Sequence, residues 1–177
     1  MKIQVNNKEF DLLLEYEQIQ KRIRLLGIQL STDYENRTPV FIGVLNGSFM
    51  FLADLLKEIT IPCEISFVKV SSYDGDKSTP LIKQEIGISM DLKDRDVIIV
   101  EDIVDTGNTL NYLLAMVKKH QPTSINVCTL LFKPKAVKQL IPEIAYAGFE
   151  IPNEFVVGYG LDYNGLGRNL KNIYRAV

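Results

Sequence analysis

The chain has 177 residues, 46% of them hydrophobic and 24% charged, with a formal net charge of −2. That length fits one domain with a sizeable core, and the balance is that of an ordinary soluble protein. A slightly acidic chain without a basic run argues against nucleic acid as the main partner. Met1 to Asn7 lacks the apolar core of a signal peptide, and no stretch is apolar enough to span a membrane, so no membrane partner and a cytoplasmic setting are expected.

Leu12, Tyr16, Ile19, Ile23, Leu26 and Leu30 recur at alternating steps of four and three, which predicts one long amphipathic helix. Val40 to Leu45 reads as a strand that leaves into an Asn46-Gly47 turn, and Ser48 to Ile59 as a helix with Ser48 as N-cap. Ile65 to Val70 is a second strand. The polar stretch Ser71 to Gln84, rich in Gly, Asp, Ser and Thr, is long enough for a mobile lid. Val97 to Val100 reads as a strand buried on both faces, and Leu110, Leu113, Leu114 and Val117 mark a helix. Ile125 to Phe132 and Phe155 to Tyr159 are further strands. Alternating strands and helices imply an α/β fold with a mainly parallel sheet, and no linker interrupts it, so residues 1–177 are read as a single domain. Cys63 and Cys128 sit in strand-like runs and are expected as free thiols. His120, the sole histidine, is expected to end a helix rather than act in catalysis.

The segment with the clearest chemistry runs from Val97 to Leu110. Four apolar residues lead into Glu101-Asp102, then Ile103-Val104, then Asp105-Thr106-Gly107-Asn108-Thr109. The Thr106 to Thr109 turn supplies backbone N–H groups, two hydroxyls and a glycine at a helix start, which makes an anion cradle. Glu101 and Asp102 leave the strand at its carboxyl end, where open α/β sheets bind ligands. Phosphate beneath carboxylates suits a phosphorylated sugar whose hydroxyls, or a bound Mg²⁺, meet the acids. The segment is not a Walker A loop, since the G-x-x-x-x-G-K-[ST] pattern is absent.

This string resembles the PRPP-binding signature of the type I phosphoribosyltransferases. Three more segments resemble the hypoxanthine-guanine members of that family: Ile42 to Phe49 their pyrophosphate loop, Val70 to Tyr73 the start of their catalytic loop, and Gly148 to Pro152 with Phe155 to Tyr163 their purine-binding hood. Order and spacing agree over nearly the whole chain. The resemblance implies a type I phosphoribosyltransferase fold, with a central mainly parallel sheet flanked by helices. A small purine-binding hood formed from the termini would include about residues 146–177. The implied reaction moves the 5-phosphoribosyl group of PRPP to N9 of hypoxanthine or guanine and releases pyrophosphate.

The resemblance also assigns roles. Thr106, Gly107 and Thr109, with the backbone of Asp105 and Asn108, would hold the 5′-phosphate. Glu101 and Asp102 would hold the ribose hydroxyls directly or through Mg²⁺, and Asp105 would manage the proton near purine N7, or else only cap the following helix. Leu45, Asn46 and Gly47, at a non-proline cis peptide in the family, would donate to pyrophosphate beside Arg168, while Ser72 and Tyr73 close over the site. Asp162 would be the ligand of a second Mg²⁺. Phe155 would stack on the base or be an ordinary core aromatic, with backbone groups of Val156 and Asp162 meeting the purine edge. Lys69 is either a cation near pyrophosphate or a solvated strand-end lysine. A homo-oligomer, dimer or tetramer, is implied as well.

Two positions depart from the family. Asn46 stands where the pyrophosphate loop usually has lysine. Counting five residues back from Gly148 to the lysine that donates to the purine 6-oxo group gives Glu143, which cannot donate when ionised. A local register shift bringing Lys138 or Lys135 to the base, a protonated Glu143, a water or backbone substitute, or an altered base preference would each reconcile this. A PRPP-binding regulator is the reading from another class, but no helix-turn-helix extension or basic patch accompanies the retained Asp105, Asp162 and Arg168.

Overall fold

The computed structural model describes residues 1–73 and 81–177, with the backbone alone for Ser72, Tyr73 and residues 81–83. Its elements are β1 (Lys2–Val5), β2 (Lys8–Leu14), α1 (Tyr16–Asp33), β3 (Val40–Leu45), α2 (Phe49–Lys57), β4 (Glu64–Tyr73) and β5 (Leu81–Ile86). There follow β6 (Asp96–Val104), α3 (Asn108–Lys118), β7 (Ser124–Phe132), β8 (Ile144–Glu150), β9 (Val156–Val157) and β10 (Ile173–Ala176). Six strands form the main sheet in the order β5-β4-β3-β6-β7-β8, parallel throughout except for the antiparallel β4–β5 pair. A smaller antiparallel sheet, β1-β2-β10-β9, joins the two ends of the chain.

The apolar runs of β3 and β6 need no alternation because both of their faces are covered. On one face Phe41, Ile98 and Val100 pack with Ile19, Ile23 and Leu26 of α1 and Phe51, Leu52 and Leu55 of α2. On the other, Val40, Ile42, Val97 and Ile99 pack with Leu110, Leu113, Leu114 and Val117 of α3. The mainly parallel sheet flanked by helices is therefore as expected. Both cysteines are free, and His120 follows α3 with its N–H donating to the Val117 carbonyl.

Several boundaries differ from the expectation. Leu12 lies in β2 and packs within the smaller sheet, because Glu15 starts α1 through a reciprocal capping box with Gln18. A helical spacing that reached back to Leu12 was thus a coincidence of strand alternation. The second helix is shorter than Ser48 to Ile59. Ser48 is its N-cap residue, but its hydroxyl donates back to the Val44 carbonyl at 2.7 Å instead of capping. The strand expected over Phe155 to Tyr159 shrinks to β9, since Gly158, Tyr159 and Gly160 all adopt positive φ. β6 continues through Val104, so Glu101 and Asp102 lie within its last turns of pleat rather than beyond it. Of the expected lid, Ser71 to Tyr73 belongs to β4 and Leu81 to Gln84 to β5, while residues 74–80 lie outside the described residues.

Candidate active site

The carboxyl edge of the main sheet gathers most of the residues singled out above. Successive residues of a strand point to opposite faces. Glu101 therefore shares the α3 face with Val97 and Ile99, and Asp102 the opposite face with Ile98 and Val100. Both acids are buried, and Glu101 Oε2 has no hydrogen-bond partner among the described residues. Burial first, then the neighbouring Asp102 charge, holds the Glu101 carboxyl well above its usual range. Burial also raises Asp102, against bonds from Glu101 and the Ile103 N–H and the nearby Arg168 charge. Such a desolvated pair lacks what a hard cation or a pair of sugar hydroxyls would supply, so its donor set fits Mg²⁺. Among the described residues no three His, Cys, Asp or Glu side chains cluster as a ready-made cage. Mg²⁺ commonly takes one or two carboxylates and completes its shell with water and phosphate oxygens.

Beneath the pair, a cavity of about 270 Å³ is lined by residues 101–110. Gly107 is the N-cap of α3 with φ 82°, and a Cβ there would sit 2.8 Å from Ile141 Cδ1. Glycine thus lets the chain turn tightly enough to present the first N–H groups of α3, which have no partner within the helix. Those N–H groups and the Thr106 and Thr109 hydroxyls border one concavity, as an anion cradle requires.

Asp105 is half exposed at the mouth of this cavity, and Lys133 Nζ donates to its Oδ2 at 2.8 Å. Lys133 is itself buried and was not singled out in the sequence. The legible signal was a lysine placed directly after the apolar run Leu130-Leu131-Phe132, where β7 ends beside β6. Glu143, by contrast, precedes β8 at the opposite edge of the sheet. Its carbonyl accepts from the Val127 N–H and its carboxylate pairs with Lys118, near the end of α3 remote from the cavity. The expectation that Glu143 faces the base is therefore corrected. Counting along β8 led back down the strand, whereas the lysine at the edge comes from β7.

The loop after β3 contains the cis Leu45–Asn46 bond. A Cβ at Gly47 would overlap the Asp102 carboxylate, so only glycine allows the loop backbone to approach the acid pair. From the other side, a Cβ at Gly160 would overlap the Gly47 carbonyl, which places the turn after β9 directly against this loop. Arg168 donates to the Gly160 carbonyl at 2.7 Å and pairs with Asp162 at 2.6 Å, while Asp162 Oδ2 accepts from the Gly165 N–H. Phe155 is 46% exposed, which sets aside an ordinary core role. Its ring packs on Phe10 and Tyr163, with Lys8 Nζ 5.4 Å from its centroid. Val156 is buried in β9 opposite Arg175. Ser72 and Tyr73 have their backbone in β4, and their side chains lie outside the described residues.

Tyr159 anchors this turn to both helices. Its hydroxyl donates to Asp54 Oδ2 at 2.5 Å and accepts from Gln20 Nε2 at 3.0 Å. Burial works to raise the Asp54 carboxyl, but hydrogen bonds from Lys57, Tyr159 and Gln20 outweigh it and hold Asp54 below its ordinary value. A carboxylate depressed by folding stabilises above its unfolded pKa, about 3.9, and that contribution is lost as pH falls through the lower folded value. Asp54→Asn should therefore lower Tm at pH 7, with the gap to the wild type closing as the solution is acidified below about pH 4. Thermal melts at the two pH values check this, and a gap of constant size would show that the Asp54 charge contributes nothing.

A family model described as "Phosphoribosyl transferase domain" matches residues 11–164 of this sequence. The chain belongs to that family. The chain is 43% identical over 162 residues to the hypoxanthine-guanine phosphoribosyltransferase of Streptococcus pneumoniae strain R6, covering 91% of this chain and 89% of that one. It is likewise 43% identical to the bifunctional protein TilS/HprT of Listeria monocytogenes strain F2365, of which the chain spans only 25% of the length. Among solved structures it is similar to a hypoxanthine-guanine phosphoribosyltransferase from Bacillus anthracis, with TM-score 0.89, 39% identity and coverage of 94% of this chain and 98% of that chain. The resemblance carried by the four sequence segments is borne out, as is the fold that it implied. No helix among the described residues is long and apolar enough to cross a membrane.

Proposed function

We propose that the chain is a purine-salvage enzyme that transfers the 5-phosphoribosyl group of PRPP to N9 of hypoxanthine or guanine. The products are IMP or GMP and pyrophosphate. The observation that carries this is the buried Glu101–Asp102 pair set over the Asp105 to Thr109 cradle, with the Lys133–Asp105 ion pair at the cavity mouth. Sequence relatives named as hypoxanthine-guanine phosphoribosyltransferases support the choice of base. The working unit is one domain over residues 1–177, with a hood from the termini, in a cytoplasmic homo-oligomer.

In this reading the N–H groups of Thr106, Gly107 and Asn108, with the Thr106 and Thr109 hydroxyls, hold the 5′-phosphate. Glu101 and Asp102 accept from the ribose hydroxyls and favour the positive charge that grows on the ring as the C1′–O bond to pyrophosphate breaks. The bonding pair leaves with pyrophosphate, which the backbone of Leu45, Asn46 and Gly47 and the forked guanidinium of Arg168 receive. Mg²⁺, held by Glu101 and Asp102 and in a second site by Asp162, neutralises phosphate charge when bound. Purine N9 forms the new bond to C1′, and Asp105 takes the proton that the base sheds at N7. Lys133 donates to the 6-oxo group, Phe155 stacks on the ring, and backbone groups of Val156 and Asp162 meet the purine edge. Ser72 and Tyr73 close over the cleft and exclude water.

Glu143 lies at the far edge of the sheet, paired with Lys118, which supports the 6-oxo bases over the altered preference that an acid beside the base would have suggested. Product formation with PRPP and Mg²⁺ against hypoxanthine, guanine, xanthine and adenine should favour the first two by at least about 100-fold over adenine, which lacks the 6-oxo acceptor. Preference for adenine would sink the assignment of Lys133. PRPP binding without turnover of any base would point to a regulator instead.

A further inference from the structure

We propose that Lys69 is a pyrophosphate-binding cation held in the resting protein by Glu85, through a β-bulge that aims the Glu85 carboxylate at it. The inference rests on PRPP being the substrate, as read above. β4 runs parallel to β3 with Lys69 opposite Leu45, the residue that opens the loop set against Asp102. Side chains two apart in a strand share a face. Lys69 therefore lies on the face of Phe67, which lines one groove with Leu45 and Phe49. That face of the sheet also carries Asp102. Lys69 thus stands at the leaving-group end of the site rather than at a remote strand end.

The charge inventory there calls for it. Departing pyrophosphate carries several negative charges, and Asn46 at the centre of the loop supplies none. The Arg168 guanidinium is divided between Asp162 and the Gly160 carbonyl. Lys69 brings an ammonium one strand away, but its Nζ lies 2.7 Å from Glu85 Oε2. Pairing runs Lys69 to Ile86 and then Val70 to Gln84, which leaves Glu85 as the extra residue of a bulge. Bulges beside active sites redirect a side chain in this way. The pair is about one-third exposed on each side, 32% and 36%. Ion pairs that wet are worth little, so a multiply charged phosphate can exchange for the carboxylate at small cost. Glu85 then sets how tightly the enzyme holds its leaving group.

The two partners make opposite predictions, which a merely structural ion pair does not. Titration calorimetry of the purified protein with magnesium pyrophosphate reads binding without needing turnover. Lys69→Met should weaken binding about tenfold, the weight of one charge-assisted hydrogen bond. Glu85→Gln should tighten it by about threefold, since it frees the ammonium and removes a like charge. The double variant should match Lys69→Met alone. Weakening by both single variants, or no change in either when their melts match the wild type, overturns the proposal. Failure of the substrate reading shows separately, as a wild type that binds pyrophosphate yet makes no nucleotide from PRPP.

Discussion

Asp105→Asn should lower kcat by about 100-fold or more while leaving the fold in place, the usual range for loss of a general acid or base. The amide keeps the shape of the side chain, and its oxygen still accepts from Lys133 Nζ, now 2.8 Å from the carboxylate. What it loses is the capacity to take a proton. A capping role does not compete, because Gly107 is the N-cap of α3 and the side chain that reaches its first N–H is Thr106, whose Oγ1 accepts from Asn108 N at 3.5 Å. Asp105 is half exposed at the cavity mouth, so the cost of the variant falls on buried Lys133, which keeps an oxygen acceptor but loses its counter-charge. Steady-state rates measured beside a thermal melt decide it. An unchanged kcat in a variant with the wild-type Tm would remove Asp105 from the proton-transfer step.

Lys133→Met should cost about 100-fold in kcat/KM for hypoxanthine, from the 1.5–3 kcal/mol typical of a hydrogen bond to a charged group. Methionine fills the buried stem position with apolar volume of similar length, and the freed Asp105 remains solvated, so stability changes little. KM for PRPP should stay within about threefold, because the 5′-phosphate and pyrophosphate donors come from other elements. Discrimination against adenine should shrink in the same variant, since the lost donor is what the 6-oxo group rewards. Kinetics with each substrate varied in turn provide the check. Equal losses for PRPP and base would mean that Lys133 organises the whole edge rather than reading the purine.

The α/β class and the acidic segment were legible because their signals are local. β3 begins and ends where its apolar run does, and the four leucine and valine positions of α3 announce its buried face. The terminal sheet was not legible as strands. β1 and β2 are a short local hairpin of mixed character, and β10 becomes a strand only by pairing with β2 across almost the whole sequence. Periodicity cannot report such a contact. The same limit explains the base-site lysine. A count along one strand keeps to that strand, whereas the edge of a parallel sheet is assembled from the ends of several. Lys133 and Asp105 are 28 residues apart in sequence and become neighbours only because β7 lies beside β6 in register. Phe155 shows the complementary case: its residue type suggested either stacking or core, and only its exposure separates the two.

The smaller sheet has a consequence for how the protein comes into being. β9 is held by β10, and β10 by β2, so Phe155 gains its supporting surface only when residues 173–176 have been made. The carboxylate pair and the phosphate turn depend instead on β3, β6, β7 and the segment reaching Ile141, all synthesised earlier. A nascent chain emerging from the ribosome would therefore complete its phosphate half first. Its base half would follow only after β10 clears the exit tunnel, and until then Lys133 and Asp105 would stand beside the cradle without the ring that covers the base.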